Sequence, residues 1–153
     1  MSDLKIINNQ GIYDISIAAN GDLATDDSFD TALLMSLFVD RRADSSEVPV
    51  PELRRGWWGN LLNDIPDDEN GSKLWLFDQA RLTQNDVNKL DDEGNNAVQW
   101  LRDDNLVENI KTSINYDNNN GSATLTITYD IKNSATESRA YELWKNTGTN
   151  GTL

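Results

Sequence analysis

Hydrophobic and polar positions change their pattern four times along the chain. Between Leu4 and Thr25 they alternate over short distances, with Ile12, Asp14 and Ser16 on one side, Tyr13, Ile15 and Ile17 on the other, and Asn20-Gly21-Asp22 after them. Alternation closed by such a tripeptide predicts strand, turn and short strand. Residues 28–42 follow, DDSFDTALLMSLFVDRRA with its flanks, and place Phe29, Ala32, Leu33 and Leu37 on one helical face, widened by Leu34 and Phe38. Ser28 can cap this helix, Asp30 suits the positive end of its dipole and Arg41 and Arg42 the negative end. It is the most apolar helix expected in the chain.

Residues 43–71 have no period and hold Pro49, Pro51, Pro66, Gly56, Gly59 and Gly71. A loop that long within one domain is uncommon unless it has a function. Ser72 can then cap a short helix through Leu74, Trp75, Leu76 and Phe77, and Thr83 a longer one over 84–103. In the longer helix Val87, Leu90, Ala97, Val98 and Leu101 keep the helical period, while Gly94 costs about 1 kcal/mol relative to Ala and so implies a close neighbour. The period returns to alternation over 108–145: Ile110, Thr112, Ile114 and Tyr116, a turn at Asn118 to Gly121, then Ala123, Leu125, Ile127, Tyr129 and Ile131, and a last strand through Tyr141, Leu143 and Trp144. Strands, helices and strands without βαβ spacing predict an α+β fold, an antiparallel sheet with two or three helices packed on one face. Residues 1–153 are read as a single domain.

Composition removes whole classes of chemistry. Against 13 Lys and Arg stand 26 Asp and Glu, a formal charge of −13 that repels nucleic acid and anionic lipid surfaces. Cysteine and histidine are absent, which excludes disulfides, thiolate metal sites, Ser-His-Asp and Cys-His catalysis and HExxH zinc binding. No Walker or GxGxxG sequence marks a phosphate cradle. The first residues lack the features of a secretion signal, ALLMSLFV is too short to cross a bilayer, and the expectation is a soluble chain.

Carboxylates remain. Asp67-Asp68-Glu69, Asp91-Asp92-Glu93 and Asp103-Asp104 could hold a glycosidase pair, but in so acidic a chain they read as solvated faces. DDENG and DNNNG resemble calcium loops only superficially, because Pro66 and Tyr116 stand where an oxygen ligand is required. The sequons at Asn70, Asn120 and Asn150 carry weight only on a secretory route. No cofactor and no metal is expected.

The stretch LRRGWWGNLL, residues 53–62, concentrates residue types enriched in binding hot spots. Arg41, Arg42, Arg54, Arg55, Trp57 and Trp58 are therefore the protein-interface candidates, with core packing the bland alternative for at least one ring. If Gly56 and Gly59 bound an extended segment, the rings face opposite ways. Trp58 is then expected inward and Trp57 outward.

DSFDTALLMSLFVDRRA, RRGWWGN, GSKLWL and AVQWLRDDNLVENI, followed by an alternating strand pair, resemble in order the small baseplate wedge protein of Mu-like contractile-tailed phages, a family itself similar to gpW-like wedge subunits. The resemblance covers about residues 22–145. It implies a gpW-like baseplate wedge fold and a structural, non-enzymatic role in the virion tail baseplate. The implied partners are other wedge proteins, the tail sheath and the hub or spike, with multiple copies in a six-fold symmetric assembly made in the bacterial host cytoplasm, and neither nucleic acid nor membrane. The family motif usually reads RGWWGD, and here Asn60 replaces the acid; residues 78–94 also have fewer alanines than the family pattern. The alternatives are a carboxylate-dependent muralytic enzyme, which needs two acids about 5 to 9.5 Å apart in a sugar-sized groove, and an acidic DNA mimic, against which the Arg and Trp of RRGWWGN argue.

Overall fold

The computed structural model describes residues 3–9, 12–26, 28–62, 64, 69–77, 82–119, 121–131 and 135–144. At the N-terminus, where a strand, a turn and a short strand were expected, four short strands form a ribbon of two antiparallel pairs: β1 (Asp3–Leu4) with β4 (Thr25–Asp26), and β2 (Ile6–Asn9) with β3 (Ile12–Ile15). A bridge between Ile17 and Leu23 extends it. The expected turn closes its tip, with the Ala18 N–H donating to the Asp22 carbonyl and Gly21 at a φ of +84°, which a residue without Cβ adopts without strain.

The second sheet carries the core. Strands β5 (Asn109–Asp117), β6 (Ser122–Asp130) and β7 (Thr136–Trp144) lie antiparallel in that order, in the register that puts Ile114 opposite Leu125 and Thr112 opposite Ile127. Alternation along β6 buries Ala123, Leu125, Ile127 and Tyr129 against the helices. Helix α2 (Gln84–Val98) covers this face with Leu90, Gly94, Ala97 and Val98. Its start is the predicted one: Thr83 accepts from the Asp86 N–H while the Asp86 carboxylate accepts from the Thr83 N–H, a reciprocal cap that holds the Asp86 carboxyl below the usual carboxylate range.

The helix expected over 84–103 is interrupted. After Gln99 a short helix α3 (Trp100–Asp103) restarts, and Asn105 at a φ of +58° ends it. This arrangement buries Leu101 and brings the Trp100 indole N–H to Ser36 Oγ at 2.9 Å. Gly94 has the predicted close neighbours, since a Cβ there would lie 3.2 Å from Leu125 Cδ1 and 3.3 Å from Thr112 Oγ1.

Helix α1 (Asp30–Phe38) is shorter than the predicted 28–42. Ser28 accepts from the Asp30 N–H at 3.2 Å, but Phe29 occupies the cap position. At the other end Val39 is extended, because its carbonyl receives the Ser72 N–H and the Arg41 N–H donates back to Ser72. Arg41 and Arg42 are consequently outside the helix, not in its last turn. Leu33 and Leu37 enter the core, and Phe29 meets Tyr129 edge to face at 6.0 Å.

One polar network shares the apolar face. By register Arg139 stands opposite Ile127 and Glu137 opposite Tyr129. Arg139 reaches Asp30 at 2.6 Å and Glu137 at 3.0 Å, and the Tyr129 hydroxyl donates to Glu137 at 3.0 Å. Burial first, and that hydrogen bond second, push the Tyr129 hydroxyl well above the usual tyrosine range.

Two outcomes follow from this packing. Gly94→Ala, which at an open helical site gains about 1 kcal/mol, is expected here to lose about 1 kcal/mol net, because overpacking costs about 1 to 3 kcal/mol; urea unfolding measures it. Because the Tyr129 pKa is raised in the folded state, its contribution is complete below the unfolded value of about 10 and is lost as pH rises beyond it, with a slope of about 1.4 kcal/mol per pH unit. Tyr129→Phe should flatten the loss of stability measured between about pH 10 and 11.

Candidate docking site

The segment read as an unstructured loop is a braced platform. Residues 40–43 run between two other stretches: the Trp57 N–H donates to the Asp40 carbonyl at 2.8 Å, the Ala43 N–H to the Arg54 carbonyl at 3.0 Å, and Asp40 forms a parallel bridge with Ser72 on the other side. Ser72 is buried, its hydroxyl donating to the Leu37 carbonyl at the end of α1 and accepting from the Leu74 N–H. It is thus the predicted cap of the turn Leu74–Phe77 and a tie to α1 as well. Beside it Gly71 has a φ of +104°, and a Cβ there would come within 2.3 Å of the Val39 carbonyl oxygen.

The arginines brace this platform by bonding its backbone and acidic side chains. Arg42 donates to the carbonyls of Arg55 and Pro51, and Arg54 to those of Val48 and Pro49. Arg55 bonds Asp40 at 3.2 Å and lies 4.7 Å above the Trp75 ring, a cation–π contact. Arg41 joins Glu93 of α2 at 3.3 Å, and the same carboxylate accepts from the Lys73 N–H. The Lys73 ammonium spans Asp44 at 2.7 Å and Glu47 at 2.8 Å. Burial alone would lower the Lys73 pKa, but those two carboxylates raise it, and the Lys73 bond holds Asp44 low.

The tryptophans depart from expectation. The segment is not extended: Arg55 at a φ of 46° and Gly56 at 118° bend it, and a 3-10 turn, Trp58–Leu62, begins at once. Trp57 and Trp58 are neighbours, their ring centroids 5.9 Å apart. Trp57, expected outward, is half-buried over Gly59, where a Cβ would strike its ring at 2.4 Å. Trp58, expected inward, is 69% exposed. Three residues per turn put Leu61 on the Trp58 side, and Leu61, Leu62 and Leu53 are exposed to 86%, 71% and 63%. These leucines were missed; the signal was an apolar pair, Leu61-Leu62, in a stretch with no period to bury it. Asn60, the departure from the family motif, makes no salt bridge but exchanges two hydrogen bonds with the Asn70 backbone, each 3.0 Å, which close the base of the turn.

Among the described residues the acidic clusters do not converge. Asp91 accepts from Thr112, Glu93 serves Arg41, and Asp92, Asp103 and Asp104 are exposed; Asp67 and Asp68, like Asn120 and Asn150, lie outside the described residues. A depression of about 240 Å³ beside Arg102, Asn105, Val107 and Glu108 offers one carboxylate. Among the described residues no group of three or more acids is placed to hold a metal ion, and no helix is long and apolar enough to cross a membrane.

These features define an α+β protein whose described surface carries exposed apolar side chains, Trp58, Leu61, Leu62 and Leu53, on a hydrogen-bonded platform. The chain belongs to the phage protein GP46 family, whose model matches residues 29–138. It is 41% identical over 105 residues to baseplate protein gp46 of Escherichia phage Mu, covering 67% of this chain and 69% of that protein. To the Mu-like prophage FluMu protein gp46 of Haemophilus influenzae it is 32% identical over 111 residues, 72% of this chain and 74% of the other.

The placement of the rings predicts unequal variants. Trp58→Ala should change stability by less than about 0.5 kcal/mol. Trp57→Ala, which empties the cover over Gly59, should cost about 2 kcal/mol. Thermal melts of the single variants compare them directly.

Proposed function

We propose that this chain is a structural component of the tail baseplate of a Mu-like phage or phage-derived particle. Its likeness to the phage Mu baseplate protein over two thirds of both chains carries the reading. In finer terms, we read residues 1–153 as a single wedge domain that binds other wedge proteins around the hub, is held in several copies in a six-fold assembly and helps join the baseplate to the sheath. The work is associative, with no reaction step. Trp58, Leu61 and Leu62 supply the apolar centre of the docking surface, and Arg42, Arg54, Arg55 and Arg41 hold that centre in a fixed shape, which lowers the entropy lost on binding.

Co-expression with the neighbouring tail proteins tests the proposal. The wild-type chain should co-purify with at least one of them, and Trp58→Ala with Leu61→Ala should weaken that complex by about 30-fold or more while leaving the fold intact. Failure of the wild-type chain to join any tail complex, or clearing of peptidoglycan by the purified protein, would count against it.

A further inference from the structure

Asparagine followed by glycine can react with itself, because no Cβ on the glycine obstructs the approach of its backbone nitrogen to the asparagine side chain. Two such pairs lie within the described residues, Asn20-Gly21 at the tip of the N-terminal ribbon and Asn70-Gly71 beside the buried Ser72. Asn120 and Asn150, which also precede glycine, lie outside them. The fold treats the two described pairs in opposite ways.

At the tip Asn20, Gly21 and Asp22 are all exposed, and a Cβ at Gly21 would meet no atom within 4 Å. The Asn20 side chain folds back over its own backbone, its Oδ1 accepting from the Asp22 N–H at 3.2 Å. The Gly21 nitrogen is a member of the ring that this bond closes, so Cγ is held near it, and the Asp22 N–H stands where negative charge develops on Oδ1 during attack. One contact opposes the reaction. The Gly21 N–H donates to the Ala18 carbonyl at 2.9 Å, a bond at an exposed tip that opens by local fraying.

The second pair is locked. The Asn70 N–H donates to Asn60 Oδ1 and the Asn70 carbonyl accepts from Asn60 Nδ2, each at 3.0 Å, while the Ser72 N–H donates to the Val39 carbonyl at 2.9 Å. Gly71 between them is buried, and a Cβ there would come within 2.3 Å of the Val39 oxygen. Bringing the Gly71 nitrogen onto the Asn70 side chain turns the peptide plane and breaks the bond from Asn60 Nδ2.

We propose that Asn20 is a site of spontaneous covalent modification, deamidation through a cyclic imide, and that the fold protects Asn70 from the same reaction. The Gly21 nitrogen, its proton lost to solvent base, attacks Asn20 Cγ; the new C–N bond closes a succinimide ring, the Cγ–Nδ2 bond breaks, and ammonia leaves with a proton taken from water. Water then opens the ring at either carbonyl and leaves aspartate or isoaspartate in place of Asn20. The sum consumes water and releases ammonia, with no oxidant or reductant. Either product adds a carboxylate beside Asp22, and isoaspartate also lengthens the backbone by a methylene within the closure between Ala18 and Asp22. Among the described residues the ribbon supplies none to the buried core, so the change stays local.

The test incubates the purified full chain in mildly alkaline buffer and, in parallel, in the same buffer with enough urea to unfold it. Peptide mapping with fragmentation follows conversion at Asn20 and Asn70 separately, and protein isoaspartyl methyltransferase labels the isoaspartate. In the folded chain Asn20 should convert at least about 10-fold faster than Asn70, and unfolding should bring the two rates within about 3-fold of each other. Isoaspartate should accompany aspartate at Asn20, since direct hydrolysis of the side-chain amide yields aspartate alone. Equal conversion of both asparagines in the folded chain, an Asn70 that stays slow in urea, or aspartate at Asn20 without isoaspartate would overturn the proposal. So would a rate at Asn20 more than about 10-fold lower in the folded chain than in urea.

Discussion

The buried Ser72 is the point on which the arrangement of the platform at residues 40–62 depends. Its hydroxyl satisfies a carbonyl at the end of α1, its N–H and carbonyl draw residues 39–41 out of helical geometry, and its oxygen starts the turn that buries Leu74. Gly71 lets the chain come this close. A buried polar group left unpaired costs about 1 to 3 kcal/mol, so the serine and the strands around it are each the condition for the other. The arginines and Lys73 then act on a chain already led into place.

Much of the fold could be read from periodicity. The strands of the second sheet fall where alternation places them, the cap at Thr83 is as predicted, and Gly94 has the close neighbours its cost implied. Errors occurred where tertiary hydrogen bonds overrode local preference. Arg41 and Arg42 look like a basic last helical turn, but the bridge of Asp40 to Ser72 is formed by residues far apart in sequence. Trp57 and Trp58 lie opposite to expectation because the backbone is not extended there: Arg55 and Gly56, both at positive φ, precede a 3-10 turn. No propensity marks Arg55 for that conformation.

Charge distribution separates the two halves of the proposed behaviour. The network of Asp30, Arg139, Glu137 and Tyr129 is partly buried, so its pairing resists screening by salt. Arg42 is exposed, and it and Arg54 keep their charge while bonding backbone carbonyls. Salt should thus act on association well before it acts on folding.

Among the described residues the N-terminal ribbon supplies none to the buried core, its strands bond chiefly to each other, and Thr31 ties it to α1 through the Leu4 carbonyl. The matched family region begins at residue 29, after the ribbon ends. A module attached in this way can be lengthened or reshaped without any change to the packing beneath it, so this end of the chain is free to vary in evolution while the core it rests on stays the same.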